Sequence, residues 1–188
     1  MREKTKESGA PLLRDKSFEL LIKTVQELQP KKILEIGVNT GLSGIAMLLT
    51  SKDAHLTGIE IDEDAKSVAT NNYKTFNVQD RAKIFLGDAS QILPLLTGEY
   101  DFIFLDGPKG HYFEYLPSLL SVLAPYGVIF ADNVLFRGYV NGRVKTPHRH
   151  NTTKRSMENY LNAVSNDENL KTKIYDIEDG VSITKRIK

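Results

Sequence analysis

The stretch Lys-Ile-Leu-Glu-Ile-Gly-Val-Asn-Thr-Gly-Leu-Ser-Gly, residues 32–44, decides the fold of this 188-residue chain. A short apolar run at residues 32–37 leads into a turn that contains Gly37 and Gly41, and an amphipathic segment follows. An apolar run bounded by glycine is typical of a buried parallel strand, and glycines permit a sharp turn. The stretch therefore predicts a strand, a tight turn and a helix whose free N–H groups face a ligand.

The same alternation of apolar runs and amphipathic segments continues along the chain. Strands are predicted at residues 32–37, 55–61, 82–87, 101–105 and 127–132, and helices at about 15–29, 41–51, 62–76, 89–96, 112–124 and 152–166. Two further runs, 171–177 and 181–187, are joined by Glu178-Asp179-Gly180, which is typical of a hairpin turn.

These elements predict an α/β fold, a Rossmann-like doubly wound seven-stranded sheet with helices on both faces. The sheet should be mostly parallel, with an antiparallel C-terminal strand. We expect a single domain over residues 1–188, in which residues 1–30 form an N-terminal helical cap segment.

The composition excludes several classes of chemistry. The chain has no cysteine, which removes disulfides, thiolate nucleophiles and cysteine-ligated metals. No stretch approaches the ~18 consecutive apolar residues of a membrane span, and the charged N-terminus lacks the apolar core of a signal peptide. We therefore expect a cytoplasmic protein with no membrane partner. The formal net charge of +1 favours no particular partner.

Polar residues follow the predicted strands in an order that indicates a nucleoside site. Glu60 ends the second strand, where a carboxylate can accept both hydroxyls of a ribose. Asp88 and Ala89 follow the third strand, and a small residue there suits the edge of an adenine ring. The glycine spacings of dinucleotide and Walker A loops are both missing. Sites suited to a ribose and an adenine, without a loop that binds pyrophosphate, indicate S-adenosylmethionine (SAM) rather than NAD.

Oxygen ligands follow the fourth and fifth predicted strands. Asp106 ends the fourth strand and Asp132-Asn133 the fifth, so all three side chains should meet at one edge of the sheet. Two carboxylates and an amide suit Mg²⁺, Mn²⁺ or Ca²⁺, and Asp106 also suits the sulfonium end of SAM. The alternative is that these residues only cap helices. Lys109 is a candidate general base, with a solvated loop lysine as the alternative.

A basic segment follows the fifth predicted strand and should border the site. Between Asn133 and Met157 there is no acidic residue. The basic residues of this segment are Arg137, Arg143, Lys145, Arg149, Lys154 and Arg155. Such a segment can neutralise RNA phosphates, and Tyr112, Phe136 or Tyr139 could stack on an unpaired base. The alternative is a solvated loop that binds nothing.

Taken together, the motifs resemble the metal-dependent class I SAM O-methyltransferases, the catechol and caffeoyl-CoA group. The resemblance covers about residues 9–188 and is carried, in chain order, by Glu35-Ile36-Gly37-Val38 with Thr40-Gly41 and Ser43, then Glu60, Asp88-Ala89, Asp106-x-x-Lys109-x-x-Tyr112 and Asp132-Asn133. It implies a SAM site at Glu35, Gly37, Val38, Gly41, Ser43, Glu60, Asp88, Ala89 and Asp106. It further implies a metal at Asp106, Asp132 and Asn133, with Lys109 as the general base.

Within this family, residues 132–138 and the basic segment 137–155 look closest to a bacterial branch that methylates 5-hydroxyuridine in tRNA. This resemblance implies methyl transfer to a hydroxyl next to a second oxygen, with tRNA as partner and with Tyr112, Phe136 and Arg137 near the substrate. The first alternative is O-methylation of a small catechol-like or other phenolic metabolite. The second is a SAM-binding module without catalysis. A homodimer is a further expectation.

Overall fold

Seven strands form one mixed sheet in the computed structural model, which describes residues 15–188. The strands are β1 Lys32–Ile36, β2 His55–Glu60, β3 Ala82–Leu86, β4 Tyr100–Leu105, β5 Leu123–Asp132, β6 Leu170–Tyr175 and β7 Val181–Arg186. The helices are α1 Asp15–Leu28, α2 Leu42–Thr50, α3 Glu63–Thr75, α4 Ala89–Ile92, α5 Tyr112–Val122 and α6 Asn151–Asn166.

The order of the strands across the sheet places the site. That order is β3-β2-β1-β4-β5-β7-β6. Strands β1 to β5 are parallel, whereas β7 runs antiparallel to both β5 and β6. The predicted sheet and its antiparallel C-terminal strand are confirmed. Because β1 lies between β2 and β4, the chain order reverses at its carboxyl end, which is where open α/β sheets bind ligands.

Apolar side chains leave the central strands alternately towards two layers of helices. Ile33 and Phe102 pack in a cluster with α1, α2 and α3, whereas Leu34 and Ile103 pack with α4, α5 and α6. The predicted helices on both faces are thereby confirmed. Strands covered on both sides are apolar at nearly every position, which explains the unbroken apolar runs of the sequence. Within residues 15–188, no helix combines the length and the apolar character that a membrane crossing needs.

Two element boundaries differ clearly from the sequence-based expectations. The predicted helix at residues 89–96 is divided, because α4 ends at Ile92 and a 3₁₀ turn, Leu93–Leu95, includes Pro94. Strand β5 begins at Leu123 rather than at residue 127, so the bend at Tyr126, with a φ of 62°, lies inside the strand. Helix α1 accounts for residues 15–28 of the predicted N-terminal cap, and residues 1–14 lie outside the described residues.

Gly37 is the position at which the fold depends most directly on the absence of a side chain. Its φ is +88°, and a Cβ atom there would lie 2.7 Å from the backbone carbonyl oxygen of Asp106. The three atoms nearest to such a Cβ all belong to the backbone of Asp106 and Gly107, so no flexible side chain could move away to make room. The turn after β1 can therefore pass the end of β4 only with glycine at this position.

We predict that Gly37→Ala lowers the free energy of unfolding by about 2–4 kcal/mol, from overpacking together with a left-handed backbone. The matched control is Gly142→Ala, where φ is +74° and no atom lies within 4 Å of the added Cβ. The control should lose only the backbone cost of about 1–2 kcal/mol. Urea unfolding of both variants measures the difference, and equal losses would contradict a steric role for Gly37.

Candidate active site

A cavity of about 450 Å³ lies beyond the carboxyl ends of β1, β2, β4 and β5. It opens where the strand order reverses, as the topology predicts. Eight of the predicted site residues line it, namely Gly37, Val38, Ser43, Glu60, Asp106, Lys109, Asp132 and Asn133. The fold therefore brings the predicted cofactor groups and the predicted metal ligands into one space.

A second cavity of about 200 Å³ adjoins the first between the ends of β2 and β3. Glu60 lines both cavities, and Asp88 and Ala89 line the second. The Asp88 carboxylate also caps α4, because it accepts the Ser90 N–H at 2.8 Å, and this bond lowers its pKa. Tyr115, which was not predicted, also borders this cavity, and its ring stacks on that of His111 with the two centroids 5.7 Å apart.

Glu60 is held firmly where the two cavities meet. Its Oε2 accepts the Asn39 N–H at 2.7 Å, and its Oε1 accepts the N–H groups of Ile61 and Asp62 at 2.8 and 2.9 Å. The contact from Asn39 ties the glycine-containing turn after β1 to the end of β2. Three backbone donors on one carboxylate fix its orientation before any ligand arrives.

Two of the predicted cofactor residues lie behind the cavity wall rather than in it. Glu35 is fully buried, and Gly41 has a φ of +77° and packs against the ring of Tyr73. Neither residue lines the cavity, whereas Asn39 and Thr40, from the same turn, do. In this structure Glu35 and Gly41 pack beneath the turn after β1 and do not face the cavity. The direct contact with SAM that the resemblance implies for them is therefore not supported.

Burial and neighbouring charge act strongly on the Glu35 carboxyl. Burial, followed by the charges of Asp106 and Glu60, raises its pKa well above the ordinary value. The Gly44 N–H and the Tyr73 hydroxyl face the carboxyl and counteract this shift only in part. The proton that Glu35 holds in the folded protein is therefore bound more tightly than in the unfolded chain.

Asp106 and Lys109 form an ion pair at the end of β4. Lys109 Nζ donates to Asp106 Oδ1 at 2.7 Å, and the two side chains are 21% and 26% exposed. Burial raises the pKa of Asp106, and the Lys109 ammonium opposes this effect. The pair places a basic nitrogen and a carboxylate together on the wall of the first cavity.

Asp132 lies at the end of β5 and is 2% exposed. Burial, helped by the charge of Asp106, raises its pKa to about 7. The Asn133 N–H, the Lys109 ammonium and the Ser17 hydroxyl favour its charged form. Ser17, on α1, is a site residue that the sequence analysis missed, because more than a hundred residues of chain separate it from Asp132.

The residues at the predicted metal site suit a hard cation. Asp132 Oδ1 is buried and finds no hydrogen-bond partner among the described residues, while Asp106 and Asn133 line the same cavity. Carboxylate and amide oxygens are the ligands that Mg²⁺, Mn²⁺ and Ca²⁺ prefer. In the part of the chain that is described, no three His, Cys, Asp or Glu side chains gather into a metal-binding group.

Tyr112 corrects one expectation about the substrate. Its side chain is completely buried, and its hydroxyl hydrogen-bonds to backbone carbonyls inside the protein. The prediction that Tyr112 stacks on a substrate base is therefore wrong for this conformation. Its motif spacing from Asp106 indicated a site residue, but the 3₁₀ turn Lys109–His111 directs the next side chain into the core.

Phe136 and Arg137 line a third, open cavity of about 530 Å³ beside Lys109 and Asn133. The ring of Phe136 contacts those of Tyr139 and His150, with centroids 5.4 and 5.5 Å away. Thr153 and Asp179 also border this space and were not predicted, since they come from α6 and from the hairpin turn. The two predicted substrate residues thus lie at the entrance to the site.

Ion pairs neutralise part of the basic segment. Arg143 pairs with Asp176, and Lys154 pairs with Glu158 at 3.4 Å. The other basic residues of the segment form no ion pair with any residue of 15–188: Arg137, Lys145, Arg149 and Arg155. All four are exposed, so a smaller positive surface remains than the sequence alone indicated.

Comparison with known proteins agrees with this architecture. The sequence model of a protein family described as O-methyltransferase matches residues 11–187, so the chain belongs to the O-methyltransferase family. It is similar to the catechol O-methyltransferase of Niastella koreensis, at 34% identity over 71% of this chain and 64% of that protein. It is also similar to the caffeoyl-CoA O-methyltransferase of Stellaria longipes, at 32% identity over 70% of this chain.

The chain spans little more than half of the Stellaria protein, 56% of its length. Among solved structures, the SAH-bound methyltransferase PaMTH1 of Podospora anserina matches 93% of this chain and 80% of its own. The TM-score is 0.83 and the identity 26%. The resemblance found in the sequence is thereby confirmed at the level of the family, and the tRNA branch stays a prediction.

We predict that Glu35→Gln stabilises the protein increasingly as the pH rises. The raised pKa means that the folded wild type binds more protons than the unfolded chain above the ordinary carboxyl pKa, so this group's stabilisation is lost towards higher pH. Glutamine cannot ionise and avoids that loss. Urea unfolding of both proteins between pH 5 and pH 9 measures the difference, and a difference independent of pH would contradict the prediction.

Proposed function

We propose that this protein is a SAM-dependent O-methyltransferase that acts on a hydroxyl next to a second oxygen and uses a divalent cation. One observation carries the proposal: a single cavity holds the carboxylate of Glu60, suited to a ribose, and the oxygen set of Asp106, Asp132 and Asn133. Membership of the O-methyltransferase family and the SAH-bound structural neighbour support it.

The cofactor would lie across the first two cavities. Glu60 would accept the ribose hydroxyls, and Asp88 and Ala89 would border the adenine in the smaller cavity. Gly37, Val38 and Ser43 would contact the rest of the SAM molecule along the turn after β1. When bound, SAM supplies an electrophilic methyl group and leaves as S-adenosylhomocysteine.

Asp106, Asp132 and Asn133 would hold Mg²⁺, or Mn²⁺ or Ca²⁺, at the end of the sheet. A bound dication supplies Lewis-acid chemistry, which makes a hydroxyl of the acceptor easier to deprotonate. Lys109, in its neutral form, would take that proton at Nζ. Its contact with Asp106 holds the nitrogen at the wall that cofactor and acceptor would share.

The preferred acceptor is 5-hydroxyuridine in tRNA, whose 5-hydroxyl lies next to the 4-carbonyl. Arg137 lines the open third cavity, and Lys145, Arg149 and Arg155 add exposed positive charge to the same segment. Such charges bind phosphates without reading sequence, and the half-buried ring of Phe136 offers a surface for an unpaired base. The segment 137–155 is therefore proposed as the tRNA contact.

The second candidate acceptor is a small catechol-like or other phenolic metabolite. The names of the relatives from Niastella koreensis and Stellaria longipes favour it, since they are a catechol O-methyltransferase and a caffeoyl-CoA O-methyltransferase. Asp179 also favours it, because a carboxylate in the third cavity is a poor neighbour for phosphate. Both acceptors present two adjacent oxygens, so the proposed metal site serves either.

The direct test is methyl transfer from labelled SAM to hydroxyuridine-containing tRNA and to a simple catechol, each with Mg²⁺ and with a chelator. Metal-dependent labelling of tRNA supports the first acceptor, and labelling of catechol alone supports the second. Failure of both acceptors, with SAM still bound, would favour a binding module without catalysis.

We predict that Asp132→Ala lowers metal-dependent turnover at least about 100-fold, because the buried carboxylate is a proposed ligand. SAM affinity, measured by calorimetry, should stay within about threefold, since no contact of Asp132 with the nucleoside is proposed. Retention of full activity by this variant in the presence of chelator would overturn the proposed metal site. Loss of SAM binding would show that Asp132 supports the cofactor site instead.

We predict that reversing the charge of Lys145, Arg149 and Arg155 to Glu raises the KM for tRNA about tenfold or more and flattens its salt dependence. Turnover of catechol should not change, because none of these three residues lines a cavity of the site. The matched control reverses the charge of three exposed lysines outside this segment by the same substitution to Glu, at Lys52, Lys74 and Lys171. Equal effects of the two triple variants on tRNA would count against a specific contact.

A further inference from the structure

Tyr112 is a buried residue that touches three parts of the proposed site. It begins α5 directly after the 3₁₀ turn that carries Lys109, and its side chain is 0% exposed. Lys109 Nζ lies 5.8 Å from the centroid of its ring. On α6, the ring of Tyr160 meets it edge-on at 5.7 Å. Tyr112 therefore has the ammonium over its ring and a fixed core neighbour at its edge.

The hydroxyl of Tyr112 lies between the ends of two neighbouring strands. It is 3.0 Å from the carbonyl oxygen of Leu105 on β4 and 3.2 Å from that of Asp132 on β5. The regular pairing of β4 with β5 ends at Leu105 and Ala131. The hydroxyl thus bridges the two strands at the point where their ladder stops and the functional residues begin.

The β4–β5 ladder does not itself fix the separation of Asp106 and Asp132, because its last regular pair lies one residue before each of them. Asp106 follows Leu105 directly, and the hydroxyl meets the carbonyl of Asp132 itself. A cation site needs its oxygen ligands held to within about 0.5 Å. One buried hydroxyl shared by both strand ends is a suitable restraint.

We propose that the Tyr112 hydroxyl is a positioning group that fixes the separation of Asp106 and Asp132. This inference rests on the proposed function, since it takes the two carboxylates as ligands of one cation. Tyr112 contacts neither cofactor nor substrate in this arrangement, and it acts through the backbone of the two strands. It explains why a tyrosine is needed where a buried phenylalanine would fill the same space.

The test compares Tyr112→Phe with Tyr160→Phe in the full chain. Both tyrosines are completely buried and each loses only a hydroxyl, but the Tyr160 hydroxyl faces the side chains of Ser182 and Thr184 and not the ends of β4 and β5. Mn²⁺ binding is titrated by electron paramagnetic resonance, SAM binding by calorimetry and unfolding by urea without metal. A third variant carries 4-aminophenylalanine at position 112, which keeps a donor in the same place.

We expect Tyr112→Phe to weaken Mn²⁺ binding about tenfold, with SAM affinity unchanged. Tyr160→Phe should bind Mn²⁺ like the wild type, and 4-aminophenylalanine should restore most of the loss. Wild-type Mn²⁺ affinity in Tyr112→Phe, or equal losses in both phenylalanine variants, would overturn the positioning role alone. If Tyr112→Phe does not fold, the 4-aminophenylalanine variant decides, and weak Mn²⁺ binding there overturns the inference. Absence of Mn²⁺ binding by the wild type would overturn the metal proposal as well.

Discussion

The close approach of two backbones, at Gly37 and Asp106, is the constraint on which the site depends. The Gly37 N–H donates to Ile59 on β2, and the Asp106 N–H donates to Ile36 on β1, each at 3.0 Å. Three parallel strands are thereby joined at their carboxyl ends within one small area. Because no side chain fills the space at residue 37, the turn after β1 and the Asp106 carboxylate can line the same cavity. A methyl donor and its acceptor bound in this cavity would then lie close together without any movement of the protein backbone.

That closeness collects negative charge at one edge of the sheet. Glu35, Glu60, Asp106 and Asp132 all lie there, and burial or mutual repulsion raises the pKa of three of them: Glu35, Asp106 and Asp132. Backbone N–H groups satisfy Glu60, and Lys109 supplies positive charge to Asp106. Ionised carboxylates that are buried close together destabilise the folded protein unless a cation binds near them. Raised carboxyl pKa values of this kind are typical of functional sites. A sulfonium and a divalent cation would each relieve part of the repulsion.

The sequence predicts those parts of this arrangement that depend on local pattern. The positions of the parallel strands along the chain follow from apolar runs that end at or next to Gly, Asp or Glu, and Glu60, Asp106 and Asp132 could be placed from that pattern alone. The start of β5 could not be predicted, because Pro125-Tyr126-Gly127 is typical of a turn although the strand continues through it. Ser17 and Asp179 were missed for another reason. Their approach to the site is created by tertiary packing of segments far apart in the chain, and no local spacing records it.

The hairpin turn shows how such distant segments act together. Glu178 accepts the N–H groups of Lys16 and Ser17 at 3.2 and 3.0 Å, so its carboxylate caps the first turn of α1, where a negative charge is favourable. The carbonyls of Asp179 and Gly180 accept the N–H groups of Leu135 and Val134, which fixes the loop after β5. Ser17, held by this cap, in turn faces Asp132. The antiparallel β7 therefore does more than extend the sheet. It brings a turn to the point where the first described helix approaches the loop after β5, and that turn hydrogen-bonds to both.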